Sequence, residues 1–211
     1  MAASRAILVP AALIGVAAIV SVIGVGGHAG QTVVVVGDSL TAAGTSEIMA
    51  VLSADGWKPI VEGVSGSSMT NRNLVFDWRD RLAAFAAFHP DVVVIELGTN
   101  DCGNCGDDVA AAIDGLMRPL RHVRRVLWLT AQTEVRRALD PVSVNEALRQ
   151  ATVRWPNLEV LDMGAYLDGH PEWHTGDGVH LNEMGSSELG RFIRNGIDSP
   201  PSRVGALSSV I

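Results

Sequence analysis

Five short apolar runs, at residues 32–36, 59–62, 91–97, 125–130 and 158–162, alternate with stretches that suit helices, at 41–54, 77–88, 107–122, 141–155 and 183–195. Strands separated by helices return parallel to one another. Right-handed crossovers then lay the helices on both faces of the sheet. The run Val33 to Val36 is wholly β-branched and closes on Gly37, as a strand buried on both faces requires. Local signals agree. Asp140-Pro141 opens a helix on which Ala147, Leu148, Ala151 and Trp155 recur at helical spacing, and His89-Pro90 ends the helix at 77–88. The expectation is an α/β domain of five parallel strands. In such sheets ligands bind at the carboxyl ends of the strands.

The length of 211 residues fits one domain with additional end segments. With 47% hydrophobic and 18% charged residues the chain folds as a globule, and a net charge of −7 without a basic stripe argues against nucleic acid as a partner. Residues 1–29 stand apart, with one charge, Arg5, before an apolar run from Ala6 to Val25. They read as an export signal cut before Gly30, or as an anchor that would be the chain's one membrane contact. Either places residues 30–197 outside the cytoplasm, secreted or anchored. Residues 198–211 are rich in Ser, Pro and Gly and read as a frayed tail. Cys102 and Cys105 form a C-x-x-C pair, which an exported protein uses first as a small-loop disulfide, less often as free thiols and least often for redox chemistry.

Four short stretches carry chemistry. Gly37-Asp38-Ser39-Leu40 follows the first strand and puts a hydroxyl on a strand-to-helix turn, although plain N-cap turns share that pattern. The stretch from Gly63 to Ser68, with two Gly and three Ser, suits a turn whose N–H groups face a ligand. Gly98-Thr99-Asn100-Asp101 offers a side-chain amide to an oxyanion, or is a turn Asn with an Asp cap. Asp177-Gly178-Val179-His180 sets a carboxylate and an imidazole three residues apart, as a base and its orienting partner would be.

In their order and spacing these stretches resemble the SGNH/GDSL hydrolase superfamily, over roughly residues 32–195. The resemblance implies a three-layer α/β/α sandwich with a five-stranded parallel sheet of flavodoxin-like type. It implies Ser39 as nucleophile, His180 as base and Asp177 as its orienting carboxylate. The oxyanion hole would be formed by Ser39, Gly66 and Asn100. No metal or cofactor is needed for that chemistry. One departure is evident: many members begin the second stretch with Asn, where this chain has Val61 and Glu62.

The chain has no insertion large enough for a lid, so an open cleft is expected. Short acyl groups on bulky alcohols, such as acetyl esters of envelope carbohydrate or lipid, suit it best. Met69, Arg72 and Trp173 are the candidate substrate contacts. The run from Trp173 to Leu181 is also similar to the SGNH domains of envelope polysaccharide O-acetyltransferases, so acyl transfer to a sugar hydroxyl is the alternative. A non-catalytic carbohydrate-binding module is the rival of a different class. A monomer is expected.

Overall fold

A computed structural model of the chain describes residues 27–71, 74–106, 108–135 and 137–200. The strands are β1 (Thr32–Gly37), β2 (Lys58–Gly63), β3 (Val92–Glu96), β4 (Arg125–Leu129) and β5 (Leu158–Leu161). They form one parallel sheet in the order β2-β1-β3-β4-β5. This is the flavodoxin-like order, and its direction reverses between β1 and β3. Ser39 follows one of those strands and Asn100 the other.

Alternate residues of each strand feed two cores, which is why the runs are apolar throughout. Val34, Val36, Val93, Ile95, Val126 and Trp128 pack against α3 (Trp78–Ala86), α4 (Val109–Met117) and α5 (Pro141–Ala151). Val33, Val35, Val92, Val94, Leu127 and Leu129 pack against α1 (Ser39–Ala43), α2 (Thr45–Ala54), α6 (Met163–Asp168) and α7 (Glu183–Asp198). The three-layer sandwich is therefore present as expected.

Several boundaries differ from the sequence pattern. The stretch 41–54 is two helices that meet at Gly44, where a Cβ would lie 3.2 Å from the Leu40 carbonyl oxygen and 3.3 Å from Ser186 Cβ. The break lets α7 approach closely. The helices at 107–122 and 141–155 are shorter, ending at Met117 and Ala151. The last helix runs on to Asp198, because Arg125 donates to the carbonyls of Ile197 (2.6 Å) and Gly196 (3.1 Å) while paired with Glu159. Asp198, the first residue of the expected tail, thus belongs to the helix.

At the other end, His28 stacks on Trp57 with centroids 4.3 Å apart, and its ring nitrogens meet Gln31 and Asp198 at 2.9 Å each. Among the described residues, packing against the domain starts at His28, two residues before the expected cut. Residues 1–26 of the expected export segment and 201–211 of the expected tail lie outside the described residues. Among the described residues, no helix is long and apolar enough to cross a membrane.

Candidate active site

Ser39 is the first residue of α1, directly after β1. The turn is tight because Asp38 caps the helix, its Oδ1 accepting from Leu40 N at 3.1 Å. Gly37 is required there, since a Cβ would stand 2.1 Å from Thr41 Oγ1 and 2.6 Å from Glu96 Oε2. Gly63 at the end of β2 plays the same part, with a Cβ position 2.1 Å from Ala42 N.

His180 reaches this turn from the loop before α7. Its Nε2 lies 3.1 Å from Ser39 Oγ, and its Nδ1 lies 2.5 Å from Asp177 Oδ2. The loop is built on Asp177, whose Oδ1 accepts from Val179 N and His180 N at 3.0 Å and from Thr175 Oγ1 at 2.9 Å. The hydrogen bond from His180, followed by these donors, holds the Asp177 carboxyl well below the usual carboxylate range. An ionised Asp177 can only accept, so Nδ1 carries the imidazole proton and Nε2 presents a lone pair to the Ser39 hydroxyl. Asp177 and His180 are both substantially exposed, with side chains 50% and 40% accessible. The site is shallow.

Asn100 faces the same turn from the end of β3. Its Nδ2 donates to Ser67 O at 3.0 Å and to Asp38 Oδ2 at 3.3 Å. Gly66 lies one residue before Ser67, at the third position of a turn closed by Ser67 N donating to Val64 O. Its φ of +76° is the left-handed geometry that favours glycine at that position. The structure therefore gathers Ser39, Asn100, Asp177, His180 and the Gly66 turn at the carboxyl edge of β1 to β3.

Other expected residues fall elsewhere. Trp173 is nine-tenths buried, with His170 stacked on it at 3.6 Å and Tyr166 at 5.1 Å. A ring so covered packs the last loop and is not a sugar platform. Met69 is also nine-tenths buried, and its exposed edge lines a cleft of about 240 Å³ with Thr70, Arg79 and Asp108. Arg72 lies outside the described residues. Glu62, at the departure noted in the second stretch, is paired with Arg81. Cys102 and Cys105 are joined as a disulfide with Cα atoms 5.5 Å apart, and Gly103 in their loop donates to the Leu139 carbonyl.

Two further residues organise the site: Asp101, which the sequence offers only as a turn cap, and Glu96, which it does not single out. Asp101, wholly buried, accepts from Met69 N (3.0 Å), Thr70 N (2.8 Å) and Thr70 Oγ1 (2.7 Å), fixing the far end of the Gly66 loop. Glu96, also buried, accepts at Oε2 from Asp38 N, Thr41 N and Thr41 Oγ1 at 2.9–3.2 Å. A single carboxylate inside a strand covered on both faces was the available signal.

Comparison with known proteins decides the family. The family model of GDSL-like lipases and acylhydrolases matches residues 35–187. The chain belongs to that family. That family is one of lipases and acylhydrolases. A Staphylococcus aureus protein assigned by name only to the O-acetyltransferases is 34% identical over 95 residues, which are 45% of this chain and 14% of that protein. The chain thus matches only a small part of the length of that relative. Among solved structures, the C-terminal catalytic domain of Streptococcus pneumoniae peptidoglycan O-acetyltransferase A superposes with a TM-score of 0.60 at 18% identity, covering 81% of this chain and 94% of that one. An acetylxylan esterase of Geobacillus stearothermophilus gives 0.60 at 17% identity, covering 82% and 96%. At these identities the two structures speak for the fold of this GDSL-like chain.

Proposed function

We propose that the protein is an extracytoplasmic serine esterase that removes short acyl groups, of acetyl type, from envelope carbohydrate or a related ester. The observation that carries this reading is the continuous chain from Asp177 Oδ2 to His180 Nδ1 (2.5 Å) and from His180 Nε2 to Ser39 Oγ (3.1 Å). His180 takes the Ser39 proton as Oγ bonds to the ester carbonyl carbon. The N–H groups of Ser39 and Gly66 and the Asn100 amide receive the negative oxygen. The C–O bond to the alcohol breaks, His180 returns the proton to that alcohol, and water then cleaves the acyl-enzyme by the same steps. The shallow setting of Asp177 and His180 supports a small acyl group on a bulky alcohol, because a long acyl chain would gain little apolar burial there. The chain is read as a monomer with no nucleic-acid partner.

Transfer of the acyl group to a glycan hydroxyl is the second reading, favoured by the 34% identity to the Staphylococcus aureus protein. Both reactions pass through the same acyl-enzyme, and only the second acceptor differs. Turnover of p-nitrophenyl acetate, butyrate and octanoate by the purified protein tests the first reading. Rates should fall with acyl length and vanish in Ser39→Ala. A rate that rises steeply with added oligosaccharide, with acetylated sugar as product, would favour the transferase. No turnover, with no labelling of Ser39 by a fluorophosphonate, would refute both and leave a binding module.

A further inference from the structure

Asp38 and Glu96 are two wholly buried carboxyl groups in contact behind Ser39, and the mechanism above assigns neither a role. Their hydrogen-bond partners identify where a proton must sit. Glu96 Oε2 accepts three donors, from Asp38 N, Thr41 N and Thr41 Oγ1. Asp38 Oδ1 accepts from Leu40 N, and Asp38 Oδ2 from Asn100 Nδ2. Three of the four oxygens are acceptors. Asp38 N donates to Glu96 Oε2 at 3.2 Å, so the two buried carboxyl groups lie against each other, and like charges that close in a buried site are relieved when one group holds a proton. Glu96 Oε1 is the oxygen left to carry it.

We propose that Asp38 and Glu96 share one buried proton and act as positioning residues, Glu96 fixing the Ser39 turn and Asp38 holding the Asn100 amide until the oxyanion forms. The proposal rests on the esterase reading of this site. Asn100 Nδ2 has two hydrogens, and both are engaged, one by Ser67 O at 3.0 Å and the other by Asp38 Oδ2 at 3.3 Å. The longer bond is the one that yields to a developing oxyanion. One proton on the pair leaves Asp38 ionised as the acceptor, and leaves Glu96 neutral at the centre of the sheet. The charged groups acting on Asp38 are Glu96 on β3 and Asp101 just beyond it; burial and Asp101 together raise the Asp38 carboxyl to about 6. Burial and Asp38 hold Glu96 well above the carboxylate range.

Kinetics of Glu96→Gln, Glu96→Leu and Asp38→Asn on p-nitrophenyl acetate, across the pH range, test this. Gln reproduces a protonated Glu, with an oxygen for the turn and an N–H for Asp38, so kcat should fall no more than about fivefold. Leu removes the acceptor of three donors, so kcat should fall about 100-fold or more with KM changed less than about threefold. The acid limb of kcat should report one proton fewer in Asp38→Asn than in wild type, the proton that Asp38 binds. A merely structural role would not change the order of that limb. Infrared spectra supply a second readout should the Leu variant not fold: the protonated-carboxyl band at about pH 8 should be present in wild type and absent in Glu96→Gln. Equal damage from Gln and Leu in folded variants, an unchanged limb in Asp38→Asn, or no such band would each overturn the proposal. Wild type and Ser39→Ala behaving alike would instead overturn the esterase reading beneath it.

Discussion

Replacing Asp177 by Asn isolates the electrostatic part of the site from its architecture. The Asn oxygen keeps the three donors that Oδ1 now serves, Val179 N, His180 N and Thr175 Oγ1, so the loop should hold its shape. The other atom changes from an acceptor 2.5 Å from His180 Nδ1 to an NH2 donor. To meet a donor, Nδ1 must give up its proton, and Nε2 then carries one and points it at Ser39 Oγ. The base is lost although every heavy atom stays in place. The charge-assisted hydrogen bond is lost, and the wrong tautomer adds to the loss. Water reaches this half-exposed carboxylate, so the cost should fall short of the roughly 10⁴-fold loss measured in a protease whose equivalent Asp is buried. The expected fall in kcat is about 10²–10³. KM for p-nitrophenyl acetate and the melting temperature should stay near wild type. A kcat within tenfold of wild type would refute the assignment of the tautomer to Asp177. A comparable loss accompanied by a collapsed melting temperature would refute the separation of charge from architecture.

Three further outcomes follow from particular contacts. Asp38 is raised from 3.8 to about 6, so the native state holds its proton more tightly than the unfolded chain; the associated stability is full below about pH 4 and is lost as pH rises through 6, at a cost of roughly 3 kcal/mol. Asp38→Asn should therefore melt less pH-dependently than wild type between about pH 4 and 8 in scanning calorimetry. Gly66→Ala meets only Val75 Cγ2 at 3.9 Å but must hold a φ of +76°, so denaturant titration should show a loss of about 1–2 kcal/mol, with a drop in kcat if the Gly66 N–H serves the oxyanion. Reduction of Cys102–Cys105 opens a loop of sequence separation 3, so stability should fall by no more than about 2 kcal/mol, and unchanged esterase kinetics would show that the disulfide does not stiffen the rim beside Asn100.

The strand pattern was legible because each inner strand is covered twice. A run such as Val33 to Val36 leaves few alternatives to a buried parallel strand. The four stretches bearing Ser39, Gly66, Asn100 and His180 were legible because each is local, a turn within a few residues of a strand end or helix start. Long-range contacts were not. Asp101 reads as a turn cap, and nothing in its neighbourhood announces that it binds Met69 and Thr70, about thirty residues earlier. Trp173 is as apolar on paper as a sugar platform would be, and its burial depends on His170 and Tyr166 folding over it. The break at Gly44 depends on how close α7 comes, which helical periodicity does not record.

The contact of His28 with Asp198 brings the two ends of the described fold within one hydrogen bond of each other. Both lie at the edge where β1 begins, and Ser39 lies at the edge where it ends, about 20 Å away for a six-residue strand. In topological terms the domain is nearly a ring with a single seam. A short peptide closing that seam, with the chain reopened in an exposed loop such as the turn after Ala86, would give a circular permutant with the sheet order intact. The same seam also makes the domain directional as cargo. Whatever holds it at either end holds it by the back, with the serine turned outward.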